Sequence, residues 1–563
     1  MKRFLWLGFV LSLYLICTGC GETFRPIIIP NPPTFPNPKA AHTVVTINDN
    51  GTVAAGSAMV IDVSGDTDVS VHDIGLAPVH AVQQSANEVL VVNHSVPGPQ
   101  NVGDSLTKLN FNGTVIGSTN TISLPPNSGP NFVAVAPNDT TAYVTLPNYV
   151  ADPINFPNNN GLAAVNTQSN TLLLPVLTVG NNPVAIAVTP DKSKLYVANN
   201  SSPCQNPLTA YFCSISSFDV VHSGNTVNVS PRNGSPVSLS SPPVWLVARN
   251  DSQRVYALEH SGVLAALDTA GTSGPDPLTE YPAISVPGAA TMVYDGNKNR
   301  LYIPGGNQVA VVDISQSAPQ YLAGGPITIA PVLSSARTQG DVCAAFSPSS
   351  VITTAAAALP DGSRAYVGSY AGFEVDLSIT NATLDSDDLH TTYTYTLQPP
   401  GTLDLLPGMV VTIANITSTG TNPSIFNGTF QILSVGGGTF QVANSPAATD
   451  LYSGGGTGAA PNICPQVTVI DTASNTVKSQ IAVPGVAAFN ATCSTTRFRI
   501  TMGAGGDSSR VYLASCDGGN VNIIRTDIDA YYLSLQAPVG ARAPIPPSPL
   551  NPPQNPVFLI AGP

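Results

Sequence analysis

Charged side chains are scarce in this chain: Asp, Glu, Lys and Arg together make up 9% of its residues. The basic part is the smaller, with 20 Lys and Arg against 33 Asp and Glu and a formal net charge of −13. A nucleic-acid backbone is gripped by clustered Lys and Arg, so this balance excludes nucleic acid as a partner. Long helices draw on Ala, Leu, Glu and Lys together, and the charged half of that mixture is thin. The common catalytic and cofactor signatures are missing as well. There is no H-E-x-x-H, no G-x-S-x-G, no Walker Gly-Lys-Ser/Thr, and no C-x-x-C pair beyond residue 20. The seven histidines (His42, His72, His80, His94, His222, His260 and His390) are scattered. Neither a metal nor another cofactor is expected from them. "DSDD" at Asp385–Asp388 lacks the Gly and the distal Glu of a calcium loop and reads as a solvated turn.

Present in quantity are Gly (48), Pro (52) and an apolar fraction of 43%. With abundant Val, Thr, Ser and Asn, this is the chemistry of sheets and turns rather than of a disordered chain.

The chain opens as a targeting segment. Lys2 and Arg3 precede an apolar run, Phe4–Ile16, too short to span a bilayer comfortably. "ICTGCG" follows and resembles the cleavage box of bacterial lipoproteins, although Cys17 stands where Leu is usual. The resemblance implies a signal peptide over 1–19 and lipidation of Cys20. Residues 20–41, with "RPIIIPNPPTFPNPK", then read as an extended tether at a membrane, periplasmic or cell-surface.

Beyond the tether a repeat emerges. "NPVAIAVTPDKSKLYVANN" (182–200) is two strands around a polar turn. Copies begin at Gly129, Pro242, Gly288, Ala355 and Phe498, with a looser one at Ala77. After each comes a second unit, clearest in "QVTVIDTASNTVKSQIAVPG" from Gln466, where Asp or Asn closing the third strand caps the turn. Four strands in roughly 45–60 residues mean a propeller or an array. The pattern resembles the YVTN family of β-propeller repeats, which implies an all-β propeller of four-stranded blades within a lactonase-like superfamily by fold. It implies little about activity.

Third strands number eight and complete hairpins seven, and the first copy (from His42) lacks an inner strand. At the other end "NPVFLIAGP" (555–563) matches "NPVAIAVTP" (182–190) in length and at Asn, Pro, Val and final Pro. The closing strand is therefore expected to complete the first blade, giving eight blades, with seven as the alternative. Six cysteines remain after Cys20, an even number in an exported chain. Sequence alone allows many pairings; the repeat register favours Cys204–Cys213, Cys343–Cys464 and Cys493–Cys516.

The repeat lapses between two propeller parts, 42–373 and 458–563. Residues 374–457 carry strands of their own and read as a small inserted β-domain with "SGGGTGAAP" as a flexible exit. At the starts of first strands, His80, Asn131, Trp245 and Arg497 are the candidates to line a central channel. Few acids stand there, and Glu259 beside His260 would point to the opposite face. These features favour an envelope-anchored binding or scaffold module for a protein, glycan or other envelope partner. The alternative is an exported propeller hydrolase, lactonase-type by analogy of fold, or an oxidoreductase using the channel.

Overall fold

A computed structural model describes residues 43–536 and 555–561, apart from 51–54, 95–102, 156–158, 205–211, 224–225, 270, 272–273, 275, 338–341, 346–347, 388, 399–404, 406–408, 421–424, 447–448, 485–486, 489–492 and 494–498. The predicted signal peptide, Cys20, the tether and the proline-rich approach to the last strand lie outside the described residues. Among the described residues helix is confined to two short 3-10 turns, Ser334–Ala336 and Val342–Ala345.

Among the described residues the strands form eight antiparallel sheets built on four strands each and one separate two-stranded ribbon, Thr417–Thr419 with Leu451–Gly454. Six blades are contiguous in sequence, one is interrupted between its second and third strands, and one pairs the first described strands with Asn555–Ala561. In that shared blade, blade 1, Asn555–Ala561 is innermost, followed outward by Thr43–Asp49, Ser57–Asp62 and Thr67–Asp73. Innermost strands of blades 2 to 8 are Pro78–Ser85, Val133–Val135, Pro183–Val188, Pro243–Ala248, Val293–Asp295, Ile352–Ala358 and Ile500–Ala504. The closing strand touches its neighbours in blades 2 and 8, so the ring is continuous there.

Middle strands are buried on both faces, because each blade stacks against two others. The second strand of blade 4, "KLYVAN", is buried from Leu195 to Asn199. Such strands read as unbroken apolar runs, while the fourth strands face solvent. Core clusters accordingly span blades. One joins Leu162 of blade 3, Tyr196 of blade 4 and Leu267 of blade 5. Another joins Val44 and Leu559 of blade 1 to Tyr512 and Ile523 of blade 8.

The repeat residues each have a local task. Asn at the end of a second strand reaches the hydroxyls of the third: Asn199 Nδ2 donates to Ser214 Oγ (3.1 Å) and Ser216 Oγ (3.0 Å), and Asn93 Nδ2 to Thr107 Oγ1 (2.9 Å). Asp closing a third strand caps the turn, as where Asp471 Oδ1 accepts from the amides of Ala473 and Ser474. Tyr and the basic residue two before it reach across to the next blade. Tyr512 Oη donates to Asp66 Oδ1 (3.1 Å) and Arg510 Nε to Asp66 Oδ2 (2.8 Å), joining blade 8 to blade 1. Tyr366 and Arg364 of blade 7 hold Asp529 of blade 8 in the same way, both at 2.6 Å from Oδ1. Tyr196 of blade 4 donates to Asp276 of blade 5 (2.8 Å), with Lys194 Nζ 3.7 Å away. Arg300 of blade 6 donates to Asn475 Oδ1 of blade 7 (3.0 Å). Asp66, Asn475 and Asp529 each precede a fourth strand with φ near +50° (50°, 55° and 49°), a conformation Asp and Asn tolerate better than most residues.

Inner strands share a bulge. The ladder register shifts after Pro78, Pro183 and Pro243, and at Pro556 in the closing strand. Proline has no N–H to give a ladder, so it stands where pairing is about to be interrupted. "NPV" at both 182 and 555 marks this bulge.

The insert grows directly from blade 7. Arg364–Leu384 and Thr457–Asp471 pair without a break from Arg364↔Asp471 to Ser378↔Thr457, through both expected insert boundaries. The Gly-rich stretch read as a flexible exit is strand from Thr457 onward. Beyond the blade these two strands join His390–Gln398, Thr439–Ala443, Gly428–Gly436 and Val410–Ala414. Each pairs antiparallel with the next and the last returns to Thr457–Asp471, a closed six-stranded barrel. It has its own core around Tyr393, Phe426 and Phe440.

Disulfides link Cys204–Cys213, Cys343–Cys464 and Cys493–Cys516, the pairing favoured by the register.

Two outcomes test the closure. Leu559, 3% exposed, packs between blades 1 and 8; Leu559→Ala should cost about 3 kcal/mol in chemical denaturation, and removal of 555–563 should lower the melting temperature of the whole ring. An unchanged melting curve for the truncated chain would refute it. Asp66→Ala strands a buried tyrosine hydroxyl and an arginine and should cost about 3 kcal/mol, whereas Asp527→Ala, whose partner Arg525 lies in the same blade, should cost less than about 1 kcal/mol.

Candidate functional site

The bulge fixes which residue of each inner strand stands at the channel. One residue per blade faces the fifth residue of the second strand: Phe558 opposite Ile47, His80 opposite Val92, Ala185 opposite Ala198, Trp245 opposite Leu258, Ala355 opposite Gly368 and Thr501 opposite Ala514. Extending the ladders of blades 3 and 6 by the repeat gives Phe132 and Thr291. This ring is lopsided. Blades 1, 2, 3 and 5 contribute rings; blades 4, 6, 7 and 8 contribute Ala or Thr.

The large side chains pack together. His80 stacks on Phe132 with centroids 3.8 Å apart and lies 4.5 Å from Phe558. Trp245 meets Phe132 edge-on at 5.4 Å and His80 at 6.3 Å. The Val133 amide donates to His80 Nδ1 (3.4 Å), which leaves the ring proton on Nε2 when the imidazole is neutral. His80 is 4% exposed and is shielded by its aromatic neighbours.

Where the small residues fall, a cavity of about 120 Å³ opens, walled by Trp245 and Phe558 and bordered by Thr291, Ala355 and Thr501. Its remaining lining includes Met292, Met502, Ile500 and Thr354. None of its lining residues titrates. Among the described residues no group of three or more His, Cys, Asp or Glu is placed to hold a metal ion.

Of the four sequence candidates, His80 and Trp245 are brought together. Asn131 stands one place before the ring position, its amide donating to the Thr145 carbonyl (3.3 Å), and Phe132 occupies the position itself. Arg497 lies outside the described residues. Two positions on, Arg499 is buried against Asp517, donates to the Cys493 carbonyl (2.7 Å) and packs 5.6 Å over the Tyr370 ring. Phe558, Met292 and Met502 were not singled out; alignment of the inner strands on their bulge would have found them. Asp385 and Asp387 of "DSDD" serve their own turn, accepting from Thr392, Gln441 and the backbone of Leu389.

Glu259 and His260 diverge, because the strand ends at Glu259 and His260 begins the turn: Glu259 is fully buried and His260 exposed. Burial, with the neighbouring Glu280 carboxylate, pushes the Glu259 carboxyl up to about 7, against a hydrogen bond from Ser240 Oγ (3.1 Å).

No protein-family profile matches the chain and no curated protein matches it. Several solved structures do. AztD from Citrobacter koseri is 8% identical with a TM-score of 0.47, covering 92% of this chain and 98% of that one. A periplasmic gluconolactonase of Pseudomonas aeruginosa is 11% identical at 0.39, covering 88% and 95%. A protein of Bacteroides fragilis described as a putative 6-phosphogluconolactonase is 11% identical at 0.39, covering 65% and 93%.

The raised Glu259 has a signed consequence. Its folded value lies above the ordinary 4.5, so the native state holds the proton more tightly and loses stability as pH rises from there through about 7. Glu259→Gln should melt higher than the wild type at about pH 8 and close to it at about pH 4. A Gln variant less stable only at the higher pH would contradict the assignment.

Proposed function

We propose that this chain is an exported, envelope-tethered binding or scaffold module of the YVTN-repeat type, held by a lipid on Cys20 and presenting its inserted barrel to a protein or glycan of the cell envelope. The observation that carries this reading is the barrel. It closes on itself around its own core, yet it is erected on an unbroken ladder from blade 7, so its orientation is fixed by hydrogen bonds rather than by a linker. Ring closure does not use it. A second folded unit, rigidly carried and unnecessary to its scaffold, is a presentation device.

Two further features agree. Three disulfides suit an oxidising compartment. The channel cavity is lined by aromatic, thioether, aliphatic and threonine side chains, whereas hydrolysis there would call for converging carboxylates around a metal or an activated water.

Val375 and Ala460 are cross-strand partners, so 376–459 can be replaced by a tight Asn-Gly turn joining them. Produced without residues 1–20, so that no lipid can hold it, the full-ring protein should cosediment with isolated bacterial envelope, and the excised protein should keep its cooperative melting and lose that cosedimentation; cosedimentation retained by the excised protein would overturn the barrel's role. Incorporation of labelled palmitate should disappear in Cys20→Ser, and unchanged labelling would remove the anchor.

A further inference from the structure

One blade junction departs from the clamp that others repeat. Where blades 4, 7 and 8 meet their successors, a tyrosine of the second strand and a Lys or Arg two places before it hold an Asp of the next blade. In blade 3 the second strand is Thr141–Leu146, its tyrosine is Tyr143, and Thr141 stands where the base belongs. Tyr143 is fully buried and its hydroxyl has no hydrogen-bond partner. The base comes from the other side. His222, in the third strand of blade 4 (Ser214–Ser223), brings Nε2 to 3.5 Å from Oδ2 of Asp139, in the inner hairpin turn of blade 3. We propose that Asp139 and His222 form a pH-operated latch between blades 3 and 4, closed when the imidazole is protonated and slack when it is neutral.

The acid side is fixed in place. Asp139 is 5% exposed, and its Oδ1 accepts from the amides of Thr140 (2.7 Å) and Thr141 (3.2 Å). Those bonds hold the carboxylate at its turn, while Oδ2 receives no hydrogen bond and has the imidazole beside it. A buried carboxylate oxygen without a donor is unfavourable, and a cation next to it relieves that cost. Burial first and the Asp139 charge second push the Tyr143 hydroxyl up, so the tyrosine stays neutral and leaves the carboxylate as the anion of this junction.

The base side can titrate. His222 is exposed, so its ring exchanges protons with solvent. Histidine ordinarily changes charge between about pH 5 and 8, whereas the Lys and Arg of the other clamps stay charged throughout that range. The charged groups around the pair have partners of their own. Lys192, in the inner turn of blade 4, donates to the Asn138 carbonyl (3.0 Å). Asp191 beside it accepts from Thr189 Oγ1 (2.6 Å) and the Ser193 amide (3.1 Å). Asp219, on the strand of His222, pairs with Arg232, and Lys108 of blade 2 pairs with Glu88 (2.8 Å). One proton taken from solvent gives His222 the charge that Asp139 lacks, and ties the third strand of blade 4 to the inner turn of blade 3. Above the histidine's titration that proton returns to solvent and the attraction goes with it. The latch therefore contributes at the acid end and fades as pH rises.

Hydrogen exchange of the purified protein, read by mass spectrometry at about pH 5.5 and about pH 8 and corrected for intrinsic rates, tests the latch. Peptides covering Thr141–Leu146 and Ser214–Ser223 should be about fivefold better protected at the lower pH. The internal reference is a peptide covering Arg510–Ser515, whose clamp uses arginine. His222→Gln should lose the difference and exchange at the faster rate at both pH values. Asp139→Asn keeps an oxygen for the Thr140 and Thr141 amides, so the turn survives, and it should lose the difference as well. A wild type without the pH difference, or either variant retaining it, would overturn the latch. Failure here leaves the envelope reading untouched, since that reading is tested on the barrel and on Cys20.

Discussion

Asp66 accepts from Arg510 and Tyr512 across the junction between the last blade and the first, and the ring depends on contacts of this kind. A blade buries both faces only if its neighbours stay in place, and apolar packing alone does not set their angular register. A carboxylate held by a tyrosine hydroxyl and a basic side chain does, because each hydrogen bond is directional. The arrangement recurs with Asp529 and Asp276. At Asp66, Asn475 and Asp529 the accepting residue stands at the tightest point of a hairpin with positive φ, which Asp and Asn tolerate better than most residues.

From that register the channel follows. Once blades are fixed at one angle, the proline-marked bulge of each inner strand delivers one side chain to the axis. Eight such positions could make a symmetric plug. Four rings on one side and three small residues grouped on the other instead make a packed half and an open half. The asymmetry lies in side-chain volume alone, since the backbones repeat.

Much of this was legible in the sequence because the repeat exposes the tasks of its residues. Tyr256 and Tyr512 head apolar runs, and Asn475 precedes Thr in "SNTV"; a motif seen several times tells strand from turn more surely than any one copy. The closing strand was legible for the same reason, since "NPVFLIAGP" carries the bulge signature of blade 4. The disulfides followed once strand order was known. What escaped the sequence depends on register at single-residue resolution. Asn131 and Phe132 are adjacent, and only the ladder shows which one reaches the axis. The barrel escaped because its closure rests on partners about 45 residues apart, such as Thr412 with Ala459, and because glycines at 454–456 read as a linker although strand resumes at Thr457.

Closure and channel are finally one problem. Phe558 belongs to the strand that completes blade 1, and it contacts His80 on one side while walling the cavity on the other. Without Asn555–Ala561 the ring would lose its last inner strand together with one aromatic wall of the open half. Leu559, its neighbour, borders the same cavity and is buried in the core between blades 1 and 8. Ring and cavity therefore share one element: the channel is finished only when Asn555–Ala561 is paired with Thr43–Asp49.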